Sequence, residues 1–308
     1  LKGNKKRTLQ AVDDLSLTLE KGEILSLVGE SGSGKTTTGR ALLRLIKEKV
    51  RGSIHFEGRD VFSLNGRELK EFRKKAQMIF QDPYQSLNPR DTVSRIVGES
   101  LDIHHRELSA EKKREMVTQA LEWCGLKPVE RFWNRFPHEL SGGQRQRVAI
   151  AGALILKPQL VVADEPVSML DASVRLDILG LLNDLRAQIG VSCLFITHDL
   201  ALAWLISDRI AVMYAGAIVE LGSAELIAQG ALHPYSKALI AAQPSATATK
   251  ERKRAVLVDR EVDPVAKTFC RYYRRCPLAT SQCLEEAPGL LEVHPGHFVR
   301  CFNWRTDD

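Results

Sequence analysis

Residues 29–36 read GESGSGKT, a run whose residue types and spacing suit one task, holding a polyphosphate. Gly29, Gly34, Lys35 and Thr36 take the fixed positions of G-x-x-x-x-G-K-[ST]; Ser31, Gly32 and Ser33 lie between them and Thr37 follows. Glycines let the backbone curl so that successive N–H groups point inward, and a helix beginning at the loop adds the partial positive charge of its N-terminus. Lys35 then reaches the β- and γ-phosphates, and the Thr36 hydroxyl ligates Mg²⁺. The surroundings agree: 24–28 is an apolar run that reads as a buried strand, and 37–46 has helical spacing.

Further polar groups stand where apolar runs end. In LVVADEP (160–166) Asp164 and Glu165 close a predicted buried strand, at the carboxyl end where open α/β sheets bind ligands. Asp164 there suits Mg²⁺, held through water, and Glu165 suits a water to be activated against the γ-phosphate. Adjacent carboxylates on a buried strand would be costly without such a task. MIFQDP (78–83) reads as a short apolar strand ending in Gln81, whose amide oxygen suits Mg²⁺ or the attacking water, although a glutamine at a strand end is commonly only polar punctuation. CLFITH (193–198) ends in His198, placed to touch the γ-phosphate, where a lone histidine is more commonly structural. LSGGQRQR (140–147) gives an N-cap at Ser141, exposed backbone N–H groups at Gly142 and Gly143, and Gln144, together a second anion-binding helix terminus. SMLD (168–171) ends in Asp171 and opens a helix expected to run to about 188.

The elements that must position these groups follow from periodicity. Alternation at Leu15, Leu17 and Leu19 predicts an antiparallel edge strand and hairpin over 9–23, and 52–58 repeats a strand-and-turn pattern. From 89 to 137 the spacing becomes helical, with helices over 92–104 and 110–125 and with Leu121, Trp123 and Leu126 buried. Residues 209–221 predict a hairpin turning at Ala215-Gly216, and a short helix follows over 223–229. The fold class is α/β: a P-loop NTPase with a mainly parallel sheet core, an antiparallel β-layer and an inserted helical subdomain.

Bulk properties narrow the function classes. The 308 residues are 44% hydrophobic and 27% charged, ordinary for a globular protein and enough for one large domain and a smaller one. No apolar run approaches the roughly 18 residues of a membrane span, and no cationic-then-apolar leader precedes the first motif. The net charge of +6, with basic runs at 5–7, 73–75 and 250–254, reads as solvated surface, since no aromatic-plus-basic nucleic-acid module accompanies it. The chain begins at Leu1 without Met, so a preceding piece is expected.

GESGSGKT, Gln81, LSGGQ, LVVADE, SMLD and His198, standing in that order, resemble the nucleotide-binding subunit of an ATP-binding-cassette transporter over about 9–230. The resemblance implies that Lys35 and Thr36 hold phosphates and Mg²⁺ and that Gln81 senses Mg²⁺ and couples to the membrane partner. It also implies that Asp164 supports Mg²⁺, Glu165 is the general base and His198 contacts the γ-phosphate. Ser141, Gly142, Gly143 and Gln144 would serve ATP on the opposite subunit, with Asp171 at the dimer seam. Implied partners are transmembrane permease subunits, a second ATPase subunit expected to be a different chain, and indirectly an extracellular solute-binding protein. The implied location is the cytoplasmic face of the cell membrane, peripherally bound. One departure concerns adenine: relatives stack it on an aromatic residue near 6–9, whereas no Phe, Tyr or Trp precedes Phe56, leaving aliphatic residues such as Val12 or a preceding piece. The alternatives are a soluble cassette ATPase acting on nucleic acid or ribosomes, which resembles tandem or coiled-coil-bearing chains, and a regulatory module that binds ATP without turnover.

IFQDPYQSLNPR (79–90) and HPYSKAL (233–239) resemble the oligopeptide/dipeptide-importer branch. The expected layout is a cassette domain over 1–230 with its helical subdomain at about 89–140, a helix and linker over 231–255, and a cysteine-rich extension over 256–308. Cys124 and Cys193 read as small core residues. Cys270, Cys276, Cys283 and Cys301 lie in the extension without close C-x₂₋₄-C pairs, a spacing that suits an iron–sulfur cluster better than zinc; unoccupied thiols are the third option. Arg271, Arg274, Arg275 and Arg300 would offset the negative charge. The branch resemblance implies a [4Fe–4S] cluster, with zinc as the alternative, beside ATP and Mg²⁺.

Overall fold

The computed structural model describes residues 10–46, 50–242 and 268–305. In chain order its strands are β1 (Ile24–Val28), β2 (His55–Phe56), β3 (Arg59–Asp60), β4 (Ala76–Ile79), β5 (Leu160–Asp164), β6 (Ser192–Thr197), β7 (Arg209–Tyr214), β8 (Ala217–Ser223), β9 (Leu291–His294) and β10 (His297–Val299). The chain divides into two compact units, one of 1–18, 25–38 and 197–308, the other of 19–24 and 39–196.

In the first unit β1 runs parallel to β7, with Leu25 to Val28 opposite Arg209 to Val212. β7 turns back antiparallel into β8 across Ala215 and Gly216, both at positive φ, so the predicted hairpin forms where the tight turn was expected. β10 pairs antiparallel with β8 and carries β9 on its other side. The described part of the tail, 268–305, thereby shares a compact unit with the P-loop. Its Tyr272 packs in a core with Val28, Tyr214, Tyr235 and Ile227, against which Cys270 and Cys276 lean. Helices Leu200–Ile206, Ala224–Gly230 and Pro234–Ala241 complete this unit.

In the second unit β4, β5 and β6 form a parallel ladder. β5 and β6 are buried along their whole length, as continuous apolar runs in a parallel sheet require. Gly39 explains the close seating of the post-loop helix Lys35–Leu42, because a Cβ there would come within 2.8 Å of both Val162 and Ile196. Helices Val93–His104 and Ala110–Trp123 form the helical insertion almost as expected. Leu121 and Leu126 are buried; Trp123 is half-buried, its ring covered by the Lys157 ammonium at 5.2 Å. The basic run 73–75 ends helix Gly66–Lys75, where cations face the negative end of the helix dipole.

One expectation is corrected. Residues 10–23 keep the predicted alternation, with Leu15, Leu17 and Leu19 half-buried between exposed neighbours, but form no strand. Only the Gly22 turn survives of the hairpin, and it feeds β1 directly. Alternation sets which side chains face inward; a strand also needs a ladder partner for its backbone. β4 ends at Ile79, so Gln81 lies beyond the strand rather than at its last position. The linker 244–254, the basic run 5–7 and the adenine-stacking positions 6–9 lie outside the described residues.

Candidate functional site

The P-loop follows from the packing around its glycines. Gly29 is buried, and a Cβ on it would meet the Met213 carbonyl oxygen at 2.1 Å. Gly34 has φ +108°, and a Cβ there would lie 2.3 Å from the Ala11 carbonyl oxygen. Gly32 also has positive φ. Side chains are therefore excluded where the loop touches the chain behind it, and its curl is available only to glycine. Lys35 is buried, its Nζ donating to the carbonyls of Gly29 at 2.7 Å and Glu30 at 2.8 Å. Ser33 is 5% exposed, and its Oγ is a buried polar atom without a hydrogen-bond partner. A buried, unpartnered hydroxyl in the same loop as a buried lysine fits a phosphate oxygen. Thr36 and Thr37 are half-buried, Ser31 is exposed, and His198 is exposed just after β6. Asp199, beside His198, caps helix Leu200–Ile206 through Oδ1, accepting from Ala201 and Leu202.

Two residues outside the predicted nucleotide-site set, Tyr235 and Arg275, hold this loop. His233 Nδ1 accepts the Tyr235 N–H at 3.0 Å and Pro234 takes the first turn, so HPY begins helix Pro234–Ala241. Tyr235 Oη accepts the N–H of Glu30, inside the P-loop, at 2.8 Å. The Arg275 fork donates to both Glu30 carboxylate oxygens at 2.8 and 2.9 Å. The HPY string announces a helix start, but nothing local announces where Tyr235 reaches.

The second unit carries the other set. Asp164 is 1% exposed at the end of β5. Glu165 takes φ +45°, a left-handed conformation that costs a non-glycine residue about 1–3 kcal/mol. The turn is held by Glu165 N–H on the Ile196 carbonyl at 2.8 Å and by Ser168, whose Oγ donates to the Glu165 carbonyl at 3.0 Å. Gln81 Nε2 donates to Glu165 Oε2 at 3.2 Å, so the fold brings these two predicted residues together. The signature forms a full capping box: Ser141 Oγ accepts from Gln144 N–H, and Gln144 Oε1 accepts from Ser141 N–H. Gly143 is required for close packing, since a Cβ would sit 2.7 Å from Val174 Cγ1. Asp171 is exposed at the N-cap position of helix Ala172–Ile189. Arg145, buried after the signature, stacks 3.8 Å over the Tyr84 ring and donates to the Pro137 carbonyl, tying the segment after Gln81 to the signature helix.

The tail cysteines form a third group. Burial pushes the Cys270 and Cys301 thiols up to about 11, and the neighbouring thiols push the same way. Cys276 is raised by burial and by Cys283. Cys270, Cys276 and Cys301 are thus each raised in part by at least one other tail thiol, while Cys270 N–H donates to the Cys283 carbonyl. Among the described residues no three histidine, cysteine or carboxylate groups converge on a single metal ion. Cys124 and Cys193 are buried core residues, as expected, with thiols pushed up to about 12 by burial. No helix among the described residues is long and apolar enough to cross a membrane.

Comparison with known proteins fits this geometry. The profile of the family described as ABC transporter matches residues 12–168, and that of the oligopeptide/dipeptide transporter C-terminal region matches 219–283. The oligopeptide transport ATP-binding protein OppF of Bacillus subtilis is 45% identical over 96% of this chain and 90% of its own length. A peptide import ATP-binding protein of Brucella ovis is 45% identical over 96% of this chain and 92% of its own. Among solved structures, the dimeric bacterial ABC transporter cassette MJ0796 superposes with a TM-score of 0.65 at 30% identity, covering 72% of this chain and 94% of that one. With its P-loop, signature and Asp164–Glu165 strand end in place, the chain belongs to the ABC transporter family, as one of its ATP-hydrolysing cassettes.

Proposed function

We propose that this chain energises import of oligopeptides, dipeptides or similar small solutes, working with transmembrane permease subunits and, through them, an extracellular solute-binding protein. The relatives named for peptide import and the matching C-terminal region support the solute class. The observation that carries the nucleotide half is the glycine-bounded loop enclosing Lys35 and the unpartnered Ser33 hydroxyl. Gly29 and Ser31 to Thr37 hold the ATP phosphates. Thr36, Gln81 and Asp164 offer a hydroxyl, an amide oxygen and a carboxylate, a hard-oxygen donor set that fits Mg²⁺, which when bound neutralises charge on the β- and γ-phosphates.

In this reading Glu165 takes a proton from the attacking water. Its left-handed backbone and the Gln81 hydrogen bond aim the carboxylate. His198 donates to the γ-phosphate. Ser141, Gly142, Gly143 and Gln144 present their helix start to ATP on a second ATPase subunit, a different chain, with Asp171 at the seam; closure of the pair drives the permease from the cytoplasmic face. The exposure of Ser141 and Asp171 supports a partner-facing role. Cys270, Cys276, Cys283 and Cys301 would hold a [4Fe–4S] cluster. What supports the reading is the wide sequence spacing of the four cysteines, which a cluster's own iron and sulfide can bridge, and the raising of the Cys270, Cys276 and Cys301 thiols in part by their neighbours. The cluster would supply a cross-link within the tail.

The test is Glu165→Gln in the assembled transporter. Hydrolysis should fall at least about a hundredfold, the range of a lost general base, with ATP-bound paired cassettes accumulating. Normal turnover would remove Glu165 from the role.

A further inference from the structure

The segment between Cys270 and Cys276 is joined to the P-loop by two routes. In the first, the Arg275 guanidinium grips the Glu30 carboxylate with both prongs, its side chain only 8% exposed between the Tyr214 and Tyr272 rings. Glu30 is the second residue of the P-loop. Its N–H is held by Tyr235 Oη, and its carbonyl accepts the Lys35 ammonium. In the second, Arg271 donates to the Ala215 carbonyl and to Asp13, and the adjacent Gly216 N–H donates to the Ser33 carbonyl at 2.8 Å.

Glu30 sets a problem that Arg275 solves. A carboxylate inside a phosphate-binding loop repels the anion the loop exists to hold, and the repulsion grows as water is excluded. A bidentate guanidinium neutralises that charge and fixes its direction. It also fixes the Glu30 peptide, and through the carbonyl it restrains Lys35.

We propose that Arg275, acting through Glu30, is a positioning residue for the P-loop, so that the cysteine-bearing tail sets the loop's affinity for the ATP phosphates. This rests on the reading that the P-loop binds ATP. The proposal separates the tail's two halves: the cysteines fold the segment, and Arg275 delivers the result to the nucleotide.

The test titrates the full chain with MgATP and a fluorescent ATP analogue. Arg275→Ala should weaken binding about tenfold, the scale of a lost charged hydrogen-bond pair. Adding Glu30→Gln to that variant should restore most of the loss, because no carboxylate is then left uncompensated. Arg275→Lys keeps the charge without the fork and should weaken binding about threefold; it carries the test if the alanine variant fails to fold. Parental affinity in Arg275→Ala, or in Arg275→Lys if only that folds, overturns the proposal. A loss that Glu30→Gln does not rescue also overturns it, assigning Arg275 to tail folding alone. Lys35→Ala is the control: if it still binds ATP at parental affinity, the P-loop reading has failed rather than the role of Arg275.

Discussion

His233 gives a pH dependence whose sign and size follow from its surroundings. Its ring is buried and its Nδ1 accepts the Tyr235 N–H, which leaves the neutral ring's proton on Nε2. Burial lowers its pKa from the ordinary 6.5 to about 4; nearby Glu220 and a hydrogen bond to the Arg300 backbone pull the other way, and the Arg300 charge adds a smaller lowering. The folded chain therefore keeps His233 neutral where the unfolded chain protonates it. Above about pH 6.5 neither state binds the proton and the full stability is present. As pH falls from 6.5 toward 4 the unfolded state gains the proton first, and stability falls. The gap corresponds to about 3 kcal/mol at its limit. Carboxylates titrate in the lower part of that window, so the measurement is a difference: denaturant midpoints of parent and His233→Asn between pH 4.5 and 7.5. Asparagine retains a cap acceptor but does not titrate in this range. The parent should lose about 2–3 kcal/mol more than the variant on going from pH 7 to pH 4.5. Parallel curves would mean that the ring is hydrated or already charged, and the buried-cap account of HPY would be wrong.

Two other outcomes follow from the site. Gly34→Ala should abolish ATP binding, measured by nucleotide titration, because its Cβ would stand 2.3 Å from a backbone oxygen at φ +108°; binding within a few-fold of the parent would show that the loop relaxes. Protein purified without oxygen should contain about four irons and four acid-labile sulfides per chain, with removal by chelator lowering tail stability; zinc without iron would refute the cluster.

The site motifs were legible because each is a local chemical signal. GESGSGKT needs only its glycines and lysine to announce a phosphate loop, and LSGGQ carries its own capping box, found in place between Ser141 and Gln144. LVVAD announces a strand buried on both faces, and β5 is one. The failure at 10–23 has the same origin. Leu15, Leu17 and Leu19 were read correctly as facing one way, but pairing depends on a distant backbone that the alternation does not encode. Glu165 was read from its carboxylate; its left-handed φ was not visible, since glutamate carries no preference for that conformation.

The contacts that were least legible are those that bind the tail to the site. Arg275 and Glu30 are 245 positions apart, and each alone is an ordinary surface residue in sequence. Arg275 was assigned to offsetting cysteine charge, yet its fork is spent on a carboxylate of the P-loop. HPY shows how near a local signal can come. His233 and Pro234 fix where helix Pro234–Ala241 starts, and that start fixes the direction of Tyr235. The ring then enters the core beside Tyr214 and Tyr272, at 4.7 and 5.5 Å, with its hydroxyl at Glu30. A helix cap, a core aromatic and a loop restraint are thus three consequences of three adjacent residues. Replacing Tyr235 by phenylalanine would preserve the first two and remove only the hydroxyl's hold on the Glu30 N–H.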